Sequence, residues 1–190
     1  MRTFIAIELP AAIKKDLSYL QNRLKEFAAD VNWVNPGNIH LTLKFIGEAD
    51  PDDLQKAIKE TESSLRDQLK FSITIANLGA FPGLNDPRVI WAGIKEGDRN
   101  IRRIVSLIEE SLEKIGIAKD KRGFSCHITL GRVKSLINKR LFNARVKEIN
   151  GTLANEKIKF NAEKVTVFKS NLRRGGPVYE ALKEIALKTT

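Results

Sequence analysis

Ile39-His40-Leu41-Thr42-Leu43 and Cys126-His127-Ile128-Thr129-Leu130 are two copies of one pattern, and they hold the only two histidines in a chain of 190 residues. Successive side chains of a strand point to opposite faces. Read as strands, the first copy sets Ile39, Leu41, Leu43 and Phe45 on an apolar face and His40, Thr42 and Lys44 on a polar one. The second sets Phe124, Cys126, Ile128 and Leu130 against Ser125, His127 and Thr129. Each copy therefore presents a His and a Thr together. Imidazole gains and loses protons near neutral pH, so two in matched settings point to an acid and a base working as a pair.

Outward from the motifs, strands and helices are interspersed. Phe4 to Leu9 alternates like a strand, Pro10 suits a first helical turn, and Ile13, Leu17, Leu20, Leu24 and Phe27 fall on one helical stripe. Trp33 to Asn38 is turn chemistry leading into the first histidine strand, which Gly47 closes. A second helix opens near Asp50-Pro51 and carries Leu54, Ile58, Leu65 and Leu69 inward. Phe71 to Leu78 and Val89 to Ile94 pair as a hairpin, and Asp98 caps a third helix that Gly116 stops. A short helix over Ser135 to Val146 precedes strands near Ile158 to Phe160, Val165 to Phe168 and Tyr179 to Leu187. Each histidine strand follows a helix and a turn, which points to a duplication. No linker separates the halves, so residues 1–190 are expected to form a single domain of two pseudo-symmetric lobes, with the histidines facing each other across a cleft.

A 42% hydrophobic content supports a real core and excludes a disordered chain. The formal charge of +10 favours an anionic partner such as nucleic acid. The single cysteine excludes an internal disulfide, the first ten residues lack the apolar core of a signal peptide, and no apolar run could cross a bilayer. A cytoplasmic, membrane-free monomer is the expectation. Many Lys and Glu beside one Cys and one Met resemble the composition of thermophile proteins.

Two histidines with flanking hydroxyls suit phosphoester cleavage: one imidazole activates water and the other protonates the departing oxygen. Thr42 and Thr129 are placed to hydrogen-bond phosphoryl oxygens, and a cation would stabilise the charge of the transition state. Lys44 and Arg132 are the nearest cations in sequence. Lys44 has the parity of His40, whereas Arg132 needs a bulge at Gly131 to reach the face of His127. Neither a metal nor another cofactor is expected, because His40, His127 and Cys126 are the only soft ligands and Cys126 points away from its neighbour. A serine-hydrolase elbow and a phosphate-binding P-loop are both missing from the sequence.

Several segments resemble the two-histidine (2H) phosphoesterase superfamily, and within it the RNA 2′,3′-cyclic phosphodiesterase branch, also called 2′-5′ RNA ligase. They are Arg2 to Pro10, Trp33-Val34, Asn38 to Gly47, Pro87 to Gly93, His127 to Arg132 and Gly176 to Tyr179. The resemblance implies a bilobal α+β fold, with antiparallel sheets around a central groove and helices outside. It implies opening of a terminal RNA 2′,3′-cyclic phosphate to a 2′-phosphate, with reversible 2′-5′ ligation of tRNA halves in some members. By position, His127 would be the base on water and His40 the acid on O3′, while Thr42, Thr129 and Arg132 would contact phosphate. Two other readings share these residues: a noncatalytic module that grips RNA ends, and a phosphodiesterase of small cyclic nucleotides. Phe81 and Trp33 are aromatic candidates for base stacking.

Overall fold

In the computed structural model, which describes residues 1–189, the chain runs β1 (Arg2–Glu8), α1 (Ala11–Lys25), β2 (Ala28–Trp33), a 3-10 turn (Pro36–Asn38), β3 (His40–Glu48), α2 (Pro51–Leu65), β4 (Phe71–Phe81), β5 (Val89–Glu96), α3 (Asp98–Glu113), β6 (His127–Leu136), α4 (Lys139–Asn155), β7 (Ile158–Ala162), β8 (Lys164–Arg173) and β9 (Gly176–Ala186). The strands form two sheets, ordered β3-β1-β8-β9 and β2-β6-β5-β4-β7, in which every neighbour is antiparallel. This is the expected α+β class.

β1 is apolar on both sides, because Phe4 and Ala6 are buried as fully as Ile5 and Ile7. A strand covered on two faces belongs inside a sheet, and β1 lies between β3 and β8. Ile5 and Ile7 join the main core, which runs without a break through residues of both sheets and all four helices among the described residues. Phe4 and Ala6 face the other way and form a second, small cluster with Phe168 and Tyr179. Asn38 Nδ2 donates to Pro177 O at 2.6 Å, tying the approach to the first strand of the sheet to the start of the last.

Neither sheet is built from one contiguous stretch of chain. The four-stranded sheet takes β1 and β3 from the first half but β8 and β9 from the C-terminal end, and the five-stranded sheet joins β2, β4 and β5 to β6 and β7 of the second half. The sequence gives little warning of β2, since Phe27 continues the stripe of α1.

Other boundaries also differ from the sequence reading. α3 is not capped by Asp98: Gly97 holds that position at φ +90, where a Cβ would lie 2.7 Å from Ser72 O, and Asp98 inside the helix pairs with Arg102 at 2.7 Å. α4 starts at Lys139, behind an Asn138 cap that accepts from Leu141 N, and runs through Gly151 to Asn155. Leu69 is outside α2 and half exposed. No helix among the described residues is long and apolar enough to cross a membrane.

Candidate active site

The two motif strands break their alternation at the same place. β3 sets Thr42 opposite Ala6 and Lys44 opposite Ile5, so Leu43 is an extra residue. β6 sets Thr129 opposite Trp91 and Gly131 opposite Ile90, so Leu130 is extra. A bulge shifts the side-chain parity of everything beyond it. Arg132 therefore turns onto the face of His127, as the glycine before it permits, and it stands exposed. The carbonyl of Leu130 accepts from Val34 N at 2.9 Å and from the buried Gln21 Nε2 at 2.8 Å, which holds the bulge in place.

The same bulge corrects the placement of Lys44. It turns inward, where its ammonium sits 2.8 Å from Glu109 Oε1 and 2.8 Å from Ala118 O. Lys44 is thus a buried tie between β3 and α3 and does not face the groove. Phe45, expected in the core, is exposed in its place.

Each imidazole is oriented by a carbonyl two residues earlier in the chain. His40 Nδ1 is 2.7 Å from Asn38 O, and His127 Nδ1 is 2.8 Å from Ser125 O. A carbonyl only accepts, so Nδ1 carries the proton and Nε2 of each neutral ring keeps its lone pair. The Thr42 hydroxyl donates to His40 Nε2 at 2.9 Å. Burial lowers the pKa of both rings from the ordinary value, aided by the Lys14 charge at His40 and by Arg132 at His127. Lys14 is fixed nearby, 3.1 Å from Glu8 Oε1 and 2.9 Å from Gly37 O.

Aromatic rings flank each histidine. Tyr179 meets His40 edge-on at 5.3 Å between ring centroids, and Phe81 meets His127 edge-on at 5.0 Å. Trp91 lies over Gly79 and Gly93, where added Cβ atoms would come within 2.3 Å and 2.9 Å of the indole. Burial raises the Tyr179 phenol, and Arg132 opposes the rise. The Arg132 charge is therefore felt both at His127 and at the ring packed against His40. β3 and β6 are also in direct contact.

His40 and Thr42 share one face of β3, and His127, Thr129 and Arg132 share one face of β6, whereas Lys44 turns inward. Phe81 touches His127, whereas Trp33 packs against the main core. Tyr179, Phe4 and Lys14 complete the surroundings and were not singled out from the sequence; the doubly apolar β1 was the one signal of a second packed face. Cys126 is half-buried near Asp98, with its thiol pushed up to about 12 chiefly by burial, and so is inert. No three His, Cys, Asp or Glu side chains gather as an ion site among the described residues.

The family model for LigT-like phosphoesterases matches the chain twice, over residues 7–91 and 93–179, one histidine motif in each. The chain belongs to the LigT-like phosphoesterase family. This LigT-like phosphoesterase is 34% identical over 184 residues to a Methanocaldococcus jannaschii protein named RNA 2′,3′-cyclic phosphodiesterase, covering 97% of this chain and 99% of that one. An Archaeoglobus fulgidus protein of the same name is 33% identical over 186 residues, covering 96% and 98%. Its fold is similar to a crystal structure from Thermus thermophilus, with a TM-score of 0.79 at 24% identity over 98% of both chains. It is also similar to E. coli LigT complexed with 3′-AMP, with a TM-score of 0.73 at 25% identity over 98% of this chain and 97% of that one.

Proposed function

We propose that this LigT-like phosphoesterase is a metal-independent RNA 2′,3′-cyclic phosphodiesterase that leaves a 2′-phosphate. One observation supports the reading: two imidazoles, each with Nδ1–H held by a carbonyl, stand beside Thr42 on one strand and beside Thr129 and Arg132 on another, and the two strands are in direct contact, an arrangement that would turn both Nε2 atoms into one groove. The names and full-length similarity of the archaeal relatives support the substrate class.

His127 Nε2 takes a proton from water as the water oxygen attacks phosphorus. The P–O3′ bond breaks, and His40, charged through Nε2, gives its proton to O3′. Both proton transfers are made by side chains, so the scheme needs no metal. Arg132 and the two threonine hydroxyls stabilise the phosphoryl oxygens as charge builds. A 5′-hydroxyl in the place of water would, by the same steps, join two RNA ends through a 2′-5′ bond, the ligation of tRNA halves. The +10 charge supports a polyanionic substrate over a small cyclic nucleotide. One chain supplies every residue of the proposed groove, so a monomer of one two-lobed unit suffices.

The deciding experiment treats an oligonucleotide ending in a 2′,3′-cyclic phosphate with the protein in EDTA and identifies the ester that remains. A 2′-phosphate is expected. A 3′-phosphate would reverse the leaving group and overturn the assigned roles, and binding without conversion would leave an RNA-end-binding module.

A further inference from the structure

β8 and β9 run on as a pair beyond the rest of their sheet. β1 accompanies β8 only from Thr166 to Lys169, whereas Ser170, Asn171, Leu172 and Arg173 pair with Tyr179, Val178, Pro177 and Gly176 alone. A two-stranded ribbon is marginally stable in water by itself, and this one leaves Leu172 70% and Val178 42% exposed. Its hold on the molecule is beside the first histidine. Asn38 Nδ2 donates to Pro177 O at 2.6 Å, and the carbonyl of the same Asn38 accepts from His40 Nδ1. At the root of the ribbon, Tyr179 meets the His40 ring edge-on. The ribbon therefore starts at His40 and ends in solvent.

That free end is cationic. Arg173 and Arg174 are both exposed at the turn, and Arg173 pairs with Gly176, the neighbour of the anchored Pro177. Residues Ser170 to Tyr179 include no carboxylate, and the next one, Glu180, is met by Lys169 at 3.7 Å and by Asn171 at 3.4 Å. Two adjacent guanidiniums without a counter-charge repel each other and do nothing for the packing of the ribbon. An anion would be stabilised by both, and the planar fork of a guanidinium matches two oxygens of a phosphate. With a cyclic end at His40, the remainder of an RNA leaves through the 5′-oxygen of its last nucleotide, so the preceding phosphates are the anions within reach. Resting on the function proposed above, we infer that the β8–β9 ribbon binds the RNA backbone upstream of the cyclic end through Arg173 and Arg174. The histidines keep the chemistry, and the ribbon adds affinity that only a polynucleotide can use.

The test compares adenosine 2′,3′-cyclic phosphate, which has no upstream phosphate, with an octa-adenylate ending in the same cyclic phosphate. Arg173→Gln combined with Arg174→Gln is expected to lower the ratio of kcat/KM, octamer over monomer, by about 10-fold. It should also flatten the slope of log kcat/KM against log salt for the octamer by about 1.4, two single-strand phosphate contacts at about 0.7 each. Arg173→Lys with Arg174→Lys keeps both charges and should keep the slope. A ratio and slope untouched by the Gln pair, or an equal loss on both substrates, overturns the ribbon's role and leaves the phosphodiesterase reading intact. Fluorescence anisotropy with an octa-adenylate ending in a 2′-phosphate reads the ribbon without turnover. Weaker binding with a flatter salt slope, in a protein that opens neither cyclic phosphate, would keep the ribbon and remove the proposed reaction. Binding equal to the wild type's would remove the ribbon.

Discussion

The Thr42 hydroxyl donates to His40 Nε2 at 2.9 Å, on a ring whose other nitrogen is held by Asn38 O at 2.7 Å. His40 is thereby fixed at both ends before any phosphate arrives. Thr42→Val removes one of these bonds and the contact expected to pass to substrate, and kcat should fall by roughly fivefold or more, the equivalent of about 1 kcal/mol. Thr42→Ser keeps the hydroxyl and should stay near the wild type. Steady-state kinetics on a cyclic-phosphate oligonucleotide separate the two variants, and equal rates would remove Thr42 from the site.

The histidines themselves are expected to carry the largest effects. His40→Asn and His127→Asn should each lower turnover by about 10²- to 10⁴-fold, the usual worth of a positioned acid or base, while RNA still binds. Turnover and filter-binding measurements on the same preparations check this, and a variant with near-normal turnover would lose its assigned role.

Both imidazoles are pushed down by burial, His40 further by Lys14 and His127 further by Arg132. The pH profile of kcat/KM reports the free enzyme, so both limbs of its bell should lie below about pH 6.5, the value of an unperturbed imidazole. Removing a neighbouring cation removes a lowering influence and moves the dependent limb up. Lys14→Met should therefore shift one limb upward and Arg132→Met the other. Profiles in which both variants move the same limb would contradict the pairing of each cation with its histidine.

Lys44 and Glu109 form an ion pair at 2.8 Å with side chains only 5% and 17% exposed. Lys44→Met strands a carboxylate in the interior and should cost about 3 kcal/mol of stability in denaturant unfolding. The double variant with Glu109→Gln should recover much of that loss, because no unpaired charge remains. A loss of activity in folded Lys44→Met protein would instead place the ammonium in the groove.

Gly79 is the floor under Trp91, and a Cβ there would meet the indole at 2.3 Å. Gly79→Ala should cost about 1–3 kcal/mol by overpacking and should lower activity by displacing the ring opposite Thr129. Thermal melts and kinetics together test both halves of this expectation.

The motif strands and the four helices were legible because they follow local rules: period-two alternation, 3.6-residue stripes, and turn residues at the ends. The bulges were not. Alternation carried past Leu43 puts Lys44 in the groove and Phe45 in the core, and only the pairing with Ile5 and Ala6 reverses them. For Arg132 the sequence did carry a signal, since Gly131 permits the parity change that the pairing with Ile90 and Trp91 produces. Strand β2 was hidden because its place is set by a partner, β6, that lies far along the chain. Asn38 and Pro177 are likewise distant in sequence, so the bond between them has no local signature.

That interleaving has a consequence for how the molecule can be divided. The family model matches two successive segments, 7–91 and 93–179, yet neither segment owns a complete sheet. Cut near residue 92, inside β5, the first fragment would lose the two strands that continue its sheet past β1, and the second would lose β2, β4 and half of β5 from around β6 and β7. The fragments would each be incomplete alone but complementary as a mixture, so severed pieces should regain a working groove only through mutual templating. A chain that the family model matches as two successive segments is physically indivisible.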